Sequence, residues 1–270
     1  MSESEQQFLQ VAKKLACDAS EIILELLKNP VVTNRKADHS PVTEADLRSD
    51  EILRKGLSKA FPDHAILTEE TGLAGNPSSE FVWLIDPLDG TKAYAKGLPG
   101  FCVMVGLLKR GQPYLGVVMD PLGGRLYEAI RGQGAFQTYQ GKRERLHVSK
   151  RDQFSQMPLV VSTGFPEKEL RVIEKDLSGP LLSPINSVGI KVGLVVRQDA
   201  DIYINHHSVS FWDTCAPQII LEEAGGVFSK LDGSDLSYSL KTPFSHHAKT
   251  LASNGKRHAE VVKILNAIQW

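Results

Sequence analysis

An apolar run, Phe81-Val82-Trp83-Leu84-Ile85, passes without a break into Asp86-Pro87-Leu88-Asp89-Gly90-Thr91-Lys92. The run reads as a strand; Pro87 stiffens the turn after it, and Gly90-Thr91 can open a short helix or turn. A chain with this feature has to build a sheet whose strand end aims two carboxylates at one point, with backbone N–H groups beside them. Hard oxygens so placed suit Mg²⁺, which prefers one or two carboxylates plus waters and substrate phosphate. The N–H groups of Gly90 and Thr91 suit the phosphate itself. The same string also reads as an Asp-Pro turn in which Asp89 merely caps a helix.

The rest of the chain supplies helices and further strands for such a sheet. From Gln6 to Lys28 the apolar residues Phe8, Val11, Ala12, Leu15, Ala19, Ile22, Ile23 and Leu26 keep helical spacing, and Asn29-Pro30 ends it. Thr43 reads as an N-cap with Asp46 three positions on, opening a second helix to about Ala60. Phe81–Ile85, Cys102–Leu108, Leu115–Asp120 and Leu126–Ile130 then predict an antiparallel sheet packed on these helices. Gln137–Gln153 turns polar and charged, and reads either as a boundary between two halves, 1–145 and 146–270, or as a long exposed hairpin. Beyond it, strands at Leu159–Ser162, Ile202–Asn205, Gly226–Leu231 and Thr250–Ser253 alternate with helices at Ile190–Arg197, Trp212–Ala224 and His258–Ile268. This is an α/β pattern, a mixed sheet covered by helices.

Composition narrows the function classes. With 41% hydrophobic and 23% charged residues in 270, the chain is of ordinary globular make-up and can bury a sizeable core. Its 31 basic and 32 acidic side chains sum to −1, which argues against a surface built for stable nucleic-acid binding. Cys17, Cys102 and Cys215 form neither a CxxC pair nor a disulfide framework, and have no setting that suggests a nucleophile. The acidic, polar start lacks a signal-peptide pattern, and no apolar run approaches the roughly 18 residues of a membrane span. A cytoplasmic location is expected.

Further acids sit at element ends. Glu69-Glu70 follow the short run Ala65-Ile66-Leu67, and Asp213 follows Phe211-Trp212 at a helix start. Taken singly, a Glu-Glu pair is usually a solvated surface and Asp213 an N-cap. Acids in apolar flanks at three separate ends are costly to bury unless they converge on cations.

In order and spacing, Glu69-Glu70, Asp86-Pro-Leu-Asp-Gly-Thr91 and Trp212-Asp213 resemble the inositol monophosphatase superfamily of Mg²⁺-dependent, Li⁺-sensitive phosphomonoesterases, over nearly the whole chain. The stretch from Lys36 to Asp46, the Lys after Asp-Gly-Thr, and Trp212-Asp213-Thr214-Cys215-Ala216-Pro217 are similar to its 3′(2′),5′-bisphosphate nucleotidase branch, which hydrolyses 3′-phosphoadenosine 5′-phosphate in sulfur metabolism. The resemblance implies a layered αβαβα sandwich of two subdomains with the metal site at their junction. It implies that Glu69, Asp86 and the Leu88 carbonyl hold one Mg²⁺, that Asp86, Asp89 and Asp213 hold a second, and that Glu69 faces a third. Metal-activated water is then the nucleophile, with Thr91 and Asp46 to orient and deprotonate it. A small-molecule phosphomonoester is the implied partner, and a homodimer is compatible with it.

For the substrate, the resemblance points to Gly90 and Thr91 at the reacting phosphate, and to Ser187 and Lys191 at a non-reacting 5′-phosphate. His206 stands where the inositol-specific branch has a sugar-reading glutamate, and the pair His206-His207 could contact a phosphate or base, although a surface His pair more often has no such role. Ser162-Thr163-Gly164-Phe165-Pro166, by contrast, looks more like the inositol-phosphatase branch. An inositol or sugar phosphatase is therefore the alternative. A module associated with RNA or polymerase is a third reading, against which the near-neutral charge and intact acid set weigh.

Overall fold

A computed structural model of the chain describes residues 2–36, 40–240 and 242–268. The N-terminal amphipathic pattern becomes helix α1 (Glu3–Leu26), which begins earlier than its apolar spacing predicts because Ser2 and Glu5 form a reciprocal capping box. Phe8, Ala12, Leu15, Ala19 and Ile23 make its buried face. A short antiparallel pair, β1 (Thr33–Arg35) and β2 (Pro41–Thr43), leads into α2 (Glu44–Ala60). Thr43 is the N-cap of α2 and Asp46 closes its capping box, as the sequence predicts. The part of the Lys36–Asp46 motif at 37–39 lies outside the described residues.

A large sheet follows: β3 (Ala65–Thr68), β4 (Gly72–Ala74), β5 (Phe81–Asp89), the single-turn helix α3 (Thr91–Tyr94), β6 (Cys102–Lys109), β7 (Gln112–Asp120), β8 (Arg125–Ile130), β9 (Gly134–Tyr139) and β10 (Lys142–Leu146). Its eight strands run in the order β10-β9-β8-β7-β6-β5-β3-β4. The four runs predicted to pair antiparallel do so as β5, β6, β7 and β8; β3, which the sequence does not assign to that sheet, joins it parallel to β5, with Thr68 beside Ile85. Because the two strands point the same way, Glu69 and Asp86 emerge at the same edge. The polar stretch after Gln137 contains the exposed edge strand β10, which pairs with the half-buried β9 and extends this sheet.

The C-terminal half adds β11 (Leu159–Val161), α4 (Glu167–Leu177), α5 (Val188–Val196), β12 (Ile202–Asn205), α6 (Phe211–Glu223), β13 (Val227–Lys230), β14 (Thr250–Ser253) and α7 (His258–Asn266). Its four strands pair in the order β11-β12-β14-β13. Three apolar clusters define the layers. One packs α1 and α2 on the large sheet; a second places α5 and α6 between the two sheets; a third packs α4 and α7 on the outer face of the small sheet. The result is αβαβα layering.

How closely α6 lies on the large sheet decides where Asp213 goes. A Cβ on Gly106 would stand 2.7 Å from Cys215 Sγ, and one on Gly116 would stand 2.5 Å from the Ala216 carbonyl oxygen. Both distances are below van der Waals contact. Bare glycine on β6 and β7 therefore lets the helix sink onto the strands, carrying its first turn to the end of β5.

Candidate active site

Strand β5 delivers the first two acids. Asp86 is buried and its Oδ1 accepts the Leu88 N–H at 3.0 Å. Register with β6 breaks between Asp86 and Asp89. Gly90 then turns the chain into α3 at φ 96°, where a Cβ would lie 2.4 Å from the Gly100 carbonyl oxygen. Only glycine fits there. Asp89 meets the start of α5, accepting Ser187 Oγ at 2.5 Å and the Gly189 N–H at 3.1 Å on one oxygen.

Asp213 is fixed by its own helix, Oδ2 accepting the Ser210 N–H at 2.7 Å. Glu69 is tethered to β5 by its N–H to the Ile85 carbonyl, and its Oε1 accepts from Lys36 Nζ at 2.6 Å. The same ammonium donates to Glu70 Oε1 at 2.6 Å. Asp46 Oδ2 accepts from Thr43 N–H and Oγ1, and its Oδ1 accepts the Thr91 hydroxyl at 3.0 Å. That hydroxyl also lies 3.2 Å from the Leu88 carbonyl. The plain capping reading of Asp46 and Asp213 is thus correct, and the cap is also what aims each carboxylate.

Glu69, Asp86, Leu88, Asp89, Gly90, Thr91 and Asp213 share one cavity of about 220 Å³, together with Ser40, Pro41, Lys92 and Asn186. Its electrostatics are severe. Burial raises the Asp86 carboxyl well above its ordinary range, and the charges of Glu69, Asp89 and Asp213 raise it further. Burial and then Asp89 and Glu69 do the same to Asp213. Glu69 and Asp89 are also raised, mainly by burial, although Lys36 and Ser187 oppose this. Acids that raise one another in this way need cations to stay ionised at neutral pH. Among the described residues no three His, Cys, Asp or Glu side chains are already arranged around an ion position. Lys36, Ser187 and the Ser210 N–H each hold one oxygen of Glu69, Asp89 and Asp213 respectively. An all-oxygen carboxylate set under mutual repulsion nevertheless fits Mg²⁺ in its chemistry.

A second cavity of about 380 Å³ adjoins the first, sharing Asp89, Lys92, Asn186 and Asp213 and adding Lys96, Ser162, Thr163, Gly164, Asn205, His207, Ser208 and others. Here the residues expected to read the substrate need correction. His207, not His206, is on this wall; the His206 ring packs edge-on against Phe165 at 4.8 Å, and burial lowers its pKa to about 4. Ser187 is fully buried as the N-cap of α5. Lys191, also fully buried, turns its ammonium to the Ile185 and Asn186 carbonyls. Neither residue lines either cavity. Sequence reasoning missed Asn186 and Lys96. The lysine spacing after Asp-Gly-Thr could have revealed Lys96, whereas Asn186 carried no signal.

The sequence matches the profile of the Inositol monophosphatase family over residues 4–269. It is 32% identical to the 3′(2′),5′-bisphosphate nucleotidase CysQ of Aggregatibacter actinomycetemcomitans, over 87% of this chain and 89% of that protein. It is equally 32% identical to the Nus factor SuhB of Pasteurella multocida, over 83% of this chain and 85% of the other. Among solved structures, the inositol monophosphatase of Anabaena (Nostoc) sp. PCC 7120 superposes with a TM-score of 0.80 at 30% identity, covering 98% of each chain.

Proposed function

The chain belongs to the inositol monophosphatase family of phosphatases, and within it we propose a Mg²⁺-dependent 3′(2′),5′-bisphosphate nucleotidase that converts 3′-phosphoadenosine 5′-phosphate to AMP and phosphate. One observation carries the substrate choice: beside the acids lies a cavity with Lys92, Lys96 and His207 on its walls, whose carboxylates among the described residues are Asp89 and Asp213, shared with the first cavity. Once those two serve a metal, the second cavity is left cationic, which suits a leaving group that carries its own phosphate. The nucleotidase named among the relatives supports this reading.

In the proposed reaction Glu69, Asp86, the Leu88 carbonyl, Asp89 and Asp213 would hold two to three Mg²⁺. When bound, these ions supply the positive charge that offsets the carboxylates, draws in the phosphate dianion and acidifies the attacking water. The chain's own groups do the rest. Thr91 and Asp46, already hydrogen-bonded to each other, hold the water and accept its proton. Burial raises the Asp46 pKa, which strengthens it as a base relative to a free aspartate. Backbone N–H groups after Gly90 face the phosphate oxygens; as the water oxygen bonds to phosphorus, the bond from phosphorus to the 3′-oxygen breaks, and the 3′-oxygen takes up a proton from solvent.

Ser162, Thr163, Asn205 and Ser208 line the same cavity with hydroxyl and amide groups, which favour an inositol or sugar phosphate as the second reading. A phosphate-release panel with Mg²⁺ separates them. The bisphosphate nucleotide should exceed inositol 1-phosphate, fructose 1,6-bisphosphate and 5′-AMP in kcat/KM. Inositol 1-phosphate in first place would overturn the nucleotidase reading. The panel is run with and without Li⁺, which the proposal expects to inhibit.

A further inference from the structure

A lysine with no exposed surface is rare, because its ammonium loses hydration that little in a protein interior replaces. Lys191 is such a residue, the largest charged side chain in the core between the two sheets. Nζ donates to the Ile185 carbonyl at 2.7 Å and to the Asn186 carbonyl at 2.8 Å, and lies 4.9 Å from the centre of the buried Tyr203 ring. An apolar side chain would fill the space without the desolvation cost. The ammonium is spent on two adjacent carbonyls of one turn.

That turn is where the active site meets the second half of the chain. The segment before it runs beside β11, with the Ile185 N–H bonded to the Val161 carbonyl. On its other side Ile185 packs against Gly100, where an added Cβ would lie 3.2 Å from Ile185 Cγ2. Asn186 lines both cavities, and Ser187, next along, donates to Asp89. Ile185 also forms an isolated parallel bridge with Ser162, so the turn is held to the end of β11 on one side and to the buried ammonium on the other.

We propose that Lys191 is a positioning residue for the phosphatase site: its buried ammonium ties the Ile185 and Asn186 carbonyls into the turn that sets Asn186 on the wall of both cavities and Ser187 against Asp89. The inference rests on the phosphatase reading of this site but concerns the turn, and the turn can be observed without turnover.

The test compares Lys191→Met, which fills the space without a donor, with Lys191→Gln, which keeps N–H donors without the charge. Hydrogen exchange in the Lys191→Met protein should be about tenfold faster at the 185–187 amides and unchanged in α1 and the large sheet. For the bisphosphate nucleotide, KM should rise about tenfold with kcat within about threefold, and Lys191→Gln should recover most of both effects. In an Asn186→Ala background, Lys191→Met should add less than about twofold to KM, because the two residues act in series. Equal losses in the Met and Gln variants with unchanged exchange at 185–187, or fully additive effects with Asn186→Ala, would overturn the proposal. Should Lys191→Met fail to give a native circular dichroism spectrum, Lys191→Leu, which also lacks a donor, takes its place in the exchange measurement and in the cycle with Asn186→Ala. A wild-type protein that releases no phosphate would overturn the phosphatase reading while the exchange result still judged the turn.

Discussion

The Thr91 hydroxyl donates to Asp46 Oδ1 across 3.0 Å, while Thr43 holds the other oxygen of that carboxylate through its N–H and its hydroxyl. Asp46 therefore has one oxygen committed to capping α2 and one committed to the site. Asp46→Asn should lower kcat by about 10²–10⁴-fold, the usual range for a lost general base, with little change in KM. Thr91→Ala should fall in the same direction and Thr91→Ser should recover most of it. A tenfold or smaller change in Asp46→Asn, measured by steady-state phosphate release, would remove Asp46 from the reaction.

The mutual repulsion of the acids gives a test with two opposite readouts. Asp86 is buried beside Glu69, Asp89 and Asp213, all of which oppose its ionisation. Asp86→Asn should abolish Mg²⁺-dependent phosphate release, by on the order of 10³-fold, as expected when a key electrostatic group is lost. The same change should raise the Tm of the protein in excess EDTA, because one source of repulsion is gone. It should also shrink the rise in Tm that Mg²⁺ gives the wild-type protein through binding. A variant less stable than wild type without metal would mean that Asp86 is a structural acid.

Much of this site was legible because its residues sit at the ends of periodic elements. Thr43 and Asp46 announce a capping box, and the apolar run before Asp86 announces a strand, so both carboxylates could be placed before any coordinates. The parallel pairing of β3 with β5 was not foreseen, since a short apolar run carries no mark of direction. Helix α4 was missed although Leu170, Ile173 and Leu177 keep helical spacing, because charged residues dominate Glu167–Leu177. The edge strand β10, exposed except at Leu146, has no alternation to detect. Lys191 shows the limit most clearly. Pattern alone makes a lysine in a helix a solvated residue; only the packing of α5 between two sheets shows that this one is buried. The substrate wall was least legible, because His207, Asn186 and Lys96 come from three separate segments that tertiary structure brings together.

The cationic wall predicts a substrate-selective effect. Lys92 and Lys96 are exposed in the cavity beside the acids. A hydrogen bond to a charged group is worth about 1.5–3 kcal/mol, so a lost lysine contact to the second phosphate corresponds to about 10–100-fold in affinity. Lys92→Ala and Lys96→Ala should each raise KM for 3′-phosphoadenosine 5′-phosphate toward that range, and leave KM for inositol 1-phosphate within about threefold. The loss should diminish as salt rises, since exposed charges are screened. Equal effects on both substrates would show that neither lysine reads a second phosphate.

Glu70 offers a pH test that separates one carboxyl from the rest. Burial raises its pKa from the ordinary 4.5 to about 7, despite its bond to Lys36. Between those values the folded protein retains the proton that the unfolded chain has released, so the contribution of Glu70 to stability falls as pH rises through the window. His206, His246 and His258 slope the other way: burial lowers each from 6.5 to about 4, so their contribution rises with pH over that interval. A total stability curve would mix these effects. The difference between Glu70→Gln and wild type, both in EDTA, cancels the histidines. That difference in Tm should move in favour of the variant from pH 4.5 to about pH 7 and then level off. Lys36, whose pKa the two glutamates raise against the opposing effect of burial, stays charged throughout and adds no slope of its own. A difference that stays flat, or that moves toward wild type as pH rises, would show that Lys36 holds Glu70 ionised and that the pair is a net stabilising contact.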